Sequence, residues 1–402
     1  MKPTQRPVIS PEPTVAVLIA TYNRADYLEQ ALRSLCNQTR LPDDILVVSD
    51  GATDHTGQVV HAFGDHVRLL EQANGGKASA LNRGLEEIRC DYVLIFDDDD
   101  IALPEALEQH LSFLRAHPEC DFTYSPKYVF SGEFSMRVID SQPVPELPDI
   151  PSDEFFIRTM ESMHTMLQGM LIPKACLTAV GPFDESLRRS QDHDMILRLA
   201  HRYQAGHLKQ PTFALRIHAG ERGAGADRHD ESERALVWAR YRRQIFSRLY
   251  NELTLGDYLP LQQAGSQLPP LLRRQAVLQR SLIMASNNLY EEALNDFAKW
   301  NALRGSRPLT VREGALIARM TQIEDMTLPK PSTFFYRLGG GTGFDRAALT
   351  AMVRGLYWTA HREWHAGEMI NVARIIQRFS LLIAGLPIGA VQRDPIQRRD
   401  HR

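Results

Sequence analysis

The sequence has no run of about 18 apolar residues, so no helix is expected to span a bilayer. The nearest approach, Phe379 to Val391, is short and broken by Pro387; an amphipathic helix lying against a membrane stays open there. Cysteine is sparse: Cys36, Cys90, Cys120 and Cys176 are the whole set, with no C-x-x-C pair. That spacing indicates neither a zinc site nor a disulfide framework, and the thiols are expected to be reduced and buried in a cytoplasmic protein. Charge of one sign is also lacking, since 46 basic residues face 49 acidic ones for a net charge of -3. Nothing there calls for nucleic acid, which would need a basic face. The proline-rich opening, MKPTQRPVISPEPT, lacks the apolar run of a secretory signal. Residues 1–13 are therefore expected to form a flexible leader.

What is present has the composition of a globular protein, 43% hydrophobic and 24% charged, in a 402-residue chain long enough for two domains. Val15 to Ala20, Ile45 to Val48, Val67 to Leu70 and Tyr92 to Phe96 are short continuous apolar runs, which read as strands buried on both faces. Between them, Leu28, Ala31, Leu32 and Leu35 line one face of a helix, and Ala78, Leu81, Leu85 and Ile88 line another. His55 to Phe63 is a weaker third helix. Strand-helix alternation with short connections implies a mostly parallel sheet covered by helices. In such sheets ligands bind beyond the carboxyl ends of the strands. The rule selects Thr21-Tyr22-Asn23, Asp50-Gly51 and Asp97 to Asp100, which are polar and, in two cases, acidic.

Further along, Pro104 to Ala116 reads as a helix, Phe122 to Phe130 as a strand, and Met170 to Ile172 as a short strand followed by a helix near Pro173. Gln191 to His201 suits a helix, Phe213 to Ile217 a last strand, and His218 to Asp230 a mobile loop. Beyond it, helical patterns dominate in 233–250, 271–287, 290–303 and 347–365. A boundary is placed at residue 230, giving an α/β domain over 14–230 and an all-α domain over 231–402. The 271–303 hairpin resembles a tetratricopeptide unit, but no repeat period is sustained. Gly339 to Gly343 lacks a preceding strand and a following lysine, so it reads as a flexible turn.

Four segments can carry chemistry, and each also has a plain structural reading. Asp97 to Asp100 stack four carboxylates that repel one another unless solvated or bridged by a cation. They can cap the following helix or, at a strand's carboxyl end, hold Mg²⁺ or Mn²⁺ with substrate phosphates. Asp50-Gly51 is an Asx-type turn or a nucleoside contact. Asn74-Gly75-Gly76-Lys77 opens a helix, as a turn or a phosphate site, without the spacing of a Walker A loop. Asp192 is a helix cap or a general base, while His193 is more simply structural and His218 is inert or a metal ligand.

Taken together and in this order, these segments resemble the family 2 glycosyltransferases of the GT-A fold. Val17 to Arg24 is similar to the family's opening strand and nucleotide loop, and Asp50 to Asp54 to its D-D-G-S-x-D segment, with Ser49 in place of the first acid. Asn74 to Gly84 follows N-x-G-x-x-x-A-x-N-x-G, and Asp97 to Pro104 follows the D-x-D-D stretch and its proline. Val180 to Glu185 and Gln191 to Asp194 resemble the acceptor-side loop and the E-D region, with Gln191 replacing the first acid. The resemblance runs from about residue 14 to residue 220.

It implies a GT-A nucleotide-sugar-binding domain, ahead of the all-α C-terminal domain read from the helical patterns. Thr21, Tyr22, Asn23 and Asp50 would hold the nucleoside, with Lys77 near it or the phosphates and Asp98 among the donor contacts. Asp97 and Asp99 would form the metal-binding D-x-D, with His218 a late metal or diphosphate ligand. Asp192 would be the base in an inverting displacement. The implied cofactor is Mn²⁺ or Mg²⁺, and the donor a nucleotide-diphosphate sugar, UDP-sugar first. The acceptor would be a glycan, a lipid-linked sugar or a peptide, most commonly in bacterial surface polysaccharide or glycoconjugate synthesis. The implied location is cytoplasmic, with room for peripheral association at the inner membrane face and for a homodimer through the C-terminal helices. A non-catalytic nucleotide-sugar-binding scaffold, a peptide or protein glycosyltransferase and a nucleotidyltransferase are the competing readings.

Overall fold

A computed structural model describes residues 12–217, 231–260, 267–320 and 346–365, with positions 263, 334, 336–338, 372–373, 375–376 and 380. Most of the expected leader, the glycine-rich loop after residue 217 with His218, the 339–343 turn and nearly all of 379–391 lie outside the described residues. The chain divides into two compact units, Met1–Tyr241 and Arg242–Arg402.

The strands of the first unit are β1 Val15–Thr21, β2 Asp44–Asp50, β3 Arg68–Gln72, β4 Tyr92–Asp97, β5 Ile101–Ala102, β6 Phe122–Tyr124, β7 Lys127–Ser131, β8 Met170–Pro173, β9 Ala205–His207 and β10 Phe213–Ile217. Its helices are α1 Ala25–Cys36, α2 Thr56–His61, α3 Lys77–Glu87, α4 Ala106–Ala116, α5 Met136–Asp140, α6 Phe155–Glu161, α7 Lys174–Val180 and α8 Gln191–Arg202. Seven strands form one sheet in the order β3-β2-β1-β4-β8-β6-β9, and a second sheet runs β5-β10-β7. β1 lies parallel between β2 and β4, and its apolar run is buried on both faces as a central parallel strand requires. Ala25, Leu28, Ala31, Leu32 and Leu35 of α1 join that core.

Three expectations change. β3, read as buried on both faces, is the sheet edge, and its residues are half-buried or exposed. The single strand expected over 122–130 is two strands in two sheets, split at Ser125-Pro126, where proline has no N–H for a continuing ladder. Of the four thiols, all free, only Cys176 is fully buried.

β8 runs antiparallel between β4 and β6. Its amino end therefore lies on the same edge as the carboxyl ends of β1, β2 and β4. Gly84 brings α3 close to the sheet, because a Cβ there would fall 2.3 Å from Leu18 Cδ1 and 3.1 Å from Val48 Cγ2. Gly84→Ala is expected to lower stability by about 1–3 kcal/mol through overpacking, visible as a lower urea midpoint despite alanine's better helix propensity.

α9, Glu231–Glu252, spans the division between the units. The second unit contains α10 Pro270–Ser286, α11 Tyr290–Arg304, α12 Val311–Met320 and α13 Arg346–His365. α10 packs against α11 and α12, and α12 against α13. Its interior holds charge: Arg280 Nε lies 2.6 Å from Asp296 Oδ2, and Arg274 Nε lies 2.6 Å from Glu313 Oε1. Burial alone would raise the Glu313 pKa, but hydrogen bonds from Thr310, Trp300 and Arg274 outweigh it and hold the group below its ordinary range. A carboxyl lowered in the folded state stabilises above its unfolded pKa, and that contribution is lost as pH falls through the lowered value. Glu313→Gln strands the buried Arg274 charge and is expected to cost about 3–5 kcal/mol. The unfolding transition followed by tryptophan fluorescence checks it, since Trp300 Nε1 donates to Glu313 Oε1 at 2.9 Å. Among the described residues no helix is long and apolar enough to cross a membrane.

Candidate active site

The carboxyl ends of β1 and β4 meet as the sheet rule requires. Ala20 lies opposite Asp97 in the ladder, and the next residue, Thr21, donates its hydroxyl to Asp98 Oδ2 at 2.7 Å. Arg24, which precedes α1, places Nη1 3.2 Å from Asp98 Oδ1 and 2.6 Å from Asp99 Oδ2. Lys77, the first residue of α3, puts Nζ 2.6 Å from Asp97 Oδ1 and 3.7 Å from Asp192 Oδ2. Asp192 stands in the first turn of α8. Its Oδ1 is buried with no hydrogen-bond partner in the protein. Two segments far apart in sequence thus converge on the ammonium of a third.

The second sheet and β8 complete the cluster. Asp100 is fully buried and accepts the Arg216 backbone N–H at 2.9 Å, while Arg216 Nε donates to the Asp99 carbonyl at 2.9 Å. Gln168, just before β8, donates Nε2 to Asp97 Oδ2 at 2.7 Å and to Asp100 Oδ2 at 3.1 Å. Its Oε1 is buried without a partner. Neither Gln168 nor Arg216 stood out in the sequence, because neither follows an apolar run. The antiparallel sense of β8 is what returns Gln168 to the ligand edge.

Packing these carboxylates together shifts the titration of Asp97, Asp98 and Asp100. Burial, with Asp99 and Asp97 adding repulsion, lifts Asp98 to about 6 against the pull of Arg24 and Thr21. Burial and the charges of Asp97 and Asp99 hold Asp100 well above the carboxylate range. Asp97 is raised by burial, with Lys77 opposing and Asp192 adding to the rise. For Lys77 burial works downward, but Asp192 and Asp97 overcome it and the ammonium is held charged.

The proposed nucleoside side is arranged differently. Asp50 is 3% exposed, and its carboxylate accepts from Gln72 Nε2 at 2.9 Å and from the Gly75 and Gly76 N–H groups at 2.8 Å each. It shapes the loop before α3 with both oxygens. Gly51 sits at φ +74°, and a Cβ there would fall 2.8 Å from the Asn74 nitrogen, so the loop's closeness requires glycine. Asn23, itself at φ +53°, accepts the Thr53 N–H at 2.7 Å and ties the first loop to the second. Tyr22 is 42% exposed at this edge. Asn82 accepts the Phe183 N–H at 2.7 Å and donates to the Phe183 carbonyl and Glu185 Oε1, each at 3.0 Å. That clamp ties α3 to the segment leading into α8.

Carboxylate oxygens of Asp97, Asp99 and Asp100 lie within 4.8 Å of one another, the group among the described residues able to hold a metal ion. An all-oxygen donor set with the unpartnered Gln168 carbonyl beside it fits Mg²⁺ or Mn²⁺ rather than a softer metal. Asp100 joins the expected pair, although its oxygens also serve Arg216 and Gln168.

Residues 16–170 match the model of Glycosyl transferase family 2. This segment is a family 2 glycosyltransferase domain. Similar proteins agree with that assignment. An uncharacterized glycosyltransferase of Rickettsia prowazekii is 29% identical over 185 residues, which cover 46% of this chain and 57% of that protein. The uncharacterized glycosyltransferase YibD of Escherichia coli is 36% identical over 97 residues, 23% of this chain and 28% of its own. The chain spans about half the length of the rickettsial relatives it matches, from 40% to 57%. Staphylococcus aureus TarS 1-349 in complex with UDP-GlcNAc has a similar fold, with a TM-score of 0.50 at 17% identity over 88% of this chain and 92% of that one. The glycosyltransferase domain has a GT-A-like α/β fold with a mostly parallel central sheet, and a helical C-terminal region follows it.

Proposed function

We propose that this chain transfers a sugar from a nucleotide-diphosphate sugar to a nucleophile of an acceptor, with inversion at the anomeric carbon. The observation that carries the reading is the bridge of Lys77 between Asp97, at 2.6 Å, and Asp192, at 3.7 Å. It links the carboxylates suited to the donor's cation and the carboxylate suited to the acceptor's proton within one site.

In this reading Asp97 and Asp99 hold the divalent cation, whose chemistry is to neutralise charge gathering on the departing diphosphate. Thr21, Tyr22, Asn23 and the loop shaped by Asp50 position the nucleoside. Lys77 adds fixed positive charge beside the phosphates, in a site that costs no reorganisation at the moment of reaction. Asp192 accepts the proton of the attacking hydroxyl on its carboxylate, whose side chain is 18% exposed. His218, outside the described residues, remains a candidate late ligand. A UDP-sugar is the first donor to test, the class that TarS is seen to hold. The acceptor class is a glycan, a lipid-linked sugar or a peptide, met in the cytoplasm or at its membrane face.

Calorimetry with UDP, GDP, CDP and dTDP, each with Mn²⁺ and again with EDTA, tests the reading. Binding of one diphosphate that requires the metal is the expected outcome. Folded protein that binds none of them refutes it.

A further inference from the structure

The acidic cluster already carries cations of its own. Arg24 lies 2.6 Å from Asp99 Oδ2, and Lys77 lies 2.6 Å from Asp97 Oδ1. Their holders differ in freedom. Asp98 is buried and fixed by the Thr21 hydroxyl on Oδ2, so it is a rigid pivot that keeps Arg24 nearby through Oδ1. Arg24 has about a third of its side chain exposed, 35%, and can swing on that pivot. Asp99 is also one of the three carboxylates whose oxygens gather within 4.8 Å.

A divalent cation sits roughly 2.0–2.6 Å from carboxylate oxygens. Placed on Asp99, it would stand within a few ångströms of a guanidinium bound to the same carboxylate, and like charges so close in a half-buried site repel strongly. The ion with twice the charge and the shorter contact keeps the carboxylate. The guanidinium would retain Asp98 and turn away from the ion, and its planar fork matches a diphosphate.

We propose that Arg24 and the divalent cation are alternative occupants of Asp99, and that the displaced guanidinium becomes a contact for the donor's diphosphate. This rests on the donor-binding function proposed above. Arg24 then balances the cluster in the empty protein and the diphosphate in the loaded one.

The test uses the full chain as wild type, Arg24→Ala and Arg24→Lys, with folding verified by circular dichroism. Each is titrated with Mn²⁺ alone, and then, in saturating Mn²⁺, with whichever of UDP, GDP, CDP and dTDP the wild type binds. Arg24→Ala is expected to take Mn²⁺ alone about tenfold more tightly and the diphosphate about tenfold more weakly, the scale of one charge-assisted hydrogen bond. Arg24→Lys falls between in both titrations, and it carries the test if the alanine variant does not fold. Opposite signs are the signature, because simple loosening of the site would weaken both. Unchanged or weaker Mn²⁺ binding by Arg24→Ala overturns the exchange, and unchanged diphosphate affinity overturns the second role. A wild type that binds Mn²⁺ but none of the four diphosphates overturns the donor reading and that second role together. The metal titration alone still decides the exchange at Asp99.

Discussion

Asp192→Asn is expected to slow transfer by about 10²–10⁴-fold, the usual worth of a positioned general base, while leaving diphosphate binding nearly unchanged. The substitution keeps the shape of the side chain and removes its capacity to take a proton. The two oxygens of Asp192 have different surroundings: Oδ2 faces Lys77 at 3.7 Å, whereas Oδ1 is buried with no partner in the protein. The side chain keeps 18% of its surface exposed, which leaves the carboxylate within reach of an acceptor hydroxyl. Donor affinity should persist because the stronger contact of Lys77, 2.6 Å to Asp97 Oδ1, survives the change. Nucleoside diphosphate release from the donor sugar, measured beside calorimetric binding of the same diphosphate, separates the two effects. Equal release rates in wild type and variant would sink the base assignment. A parallel loss of binding would place Asp192 with the donor instead.

Much of this geometry was legible because it follows from one rule applied to short apolar runs. β1 and β4 are parallel to each other in the centre of the sheet, so their sequences are almost uninterrupted apolar segments, and the residues just after them must lie at the ligand edge. Thr21 and Asp97 to Asp100 were found that way. The same rule also selected Asp50, yet it fixes where a residue lies and not what its side chain does. The Asp50 carboxylate turns to the Gly75 and Gly76 N–H groups and builds the loop, a role that depends on the path of a different segment.

What escaped the sequence depends on strand direction and on long-range pairing. A four-residue apolar strand such as β8 has no feature that tells parallel from antiparallel, and only the antiparallel sense puts Gln168 beside Asp97 and Asp100. Arg216 reaches the cluster because β10 pairs with β5, two residues that immediately follow Asp100. In the helical unit the obstacle is different. Asp296 and Glu313 are fully buried, so apolar periodicity misassigns their faces, and only their partners Arg280 and Arg274 make that burial tolerable.

Asp99→Asn is expected to remove the response of the protein to metal as well as its activity. A ligand present at about 100 times its dissociation constant stabilises the folded state by about 2.7 kcal/mol, so wild type should gain thermal stability with Mn²⁺ and the variant should gain far less. Transfer should fall by on the order of 10²-fold or more, since in the proposed reading the cation would supply several kcal/mol of charge stabilisation to the leaving group. Stability without metal decides whether this is a ligand effect. The substitution gives up the 2.6 Å contact with Arg24, but it also removes one of four crowded carboxylates, and the Asp98 carboxyl, held at about 6 partly by Asp99, moves back toward its ordinary value. These changes oppose each other, so the metal-free midpoint should shift little. A fluorescence-monitored melt with and without Mn²⁺ reads both quantities. A metal-induced gain as large in the variant as in wild type would move the cation away from Asp99, leaving Asp97 and Asp100 with Gln168 as the site to examine. A collapse of the metal-free midpoint would instead make Asp99 a structural partner of Arg24.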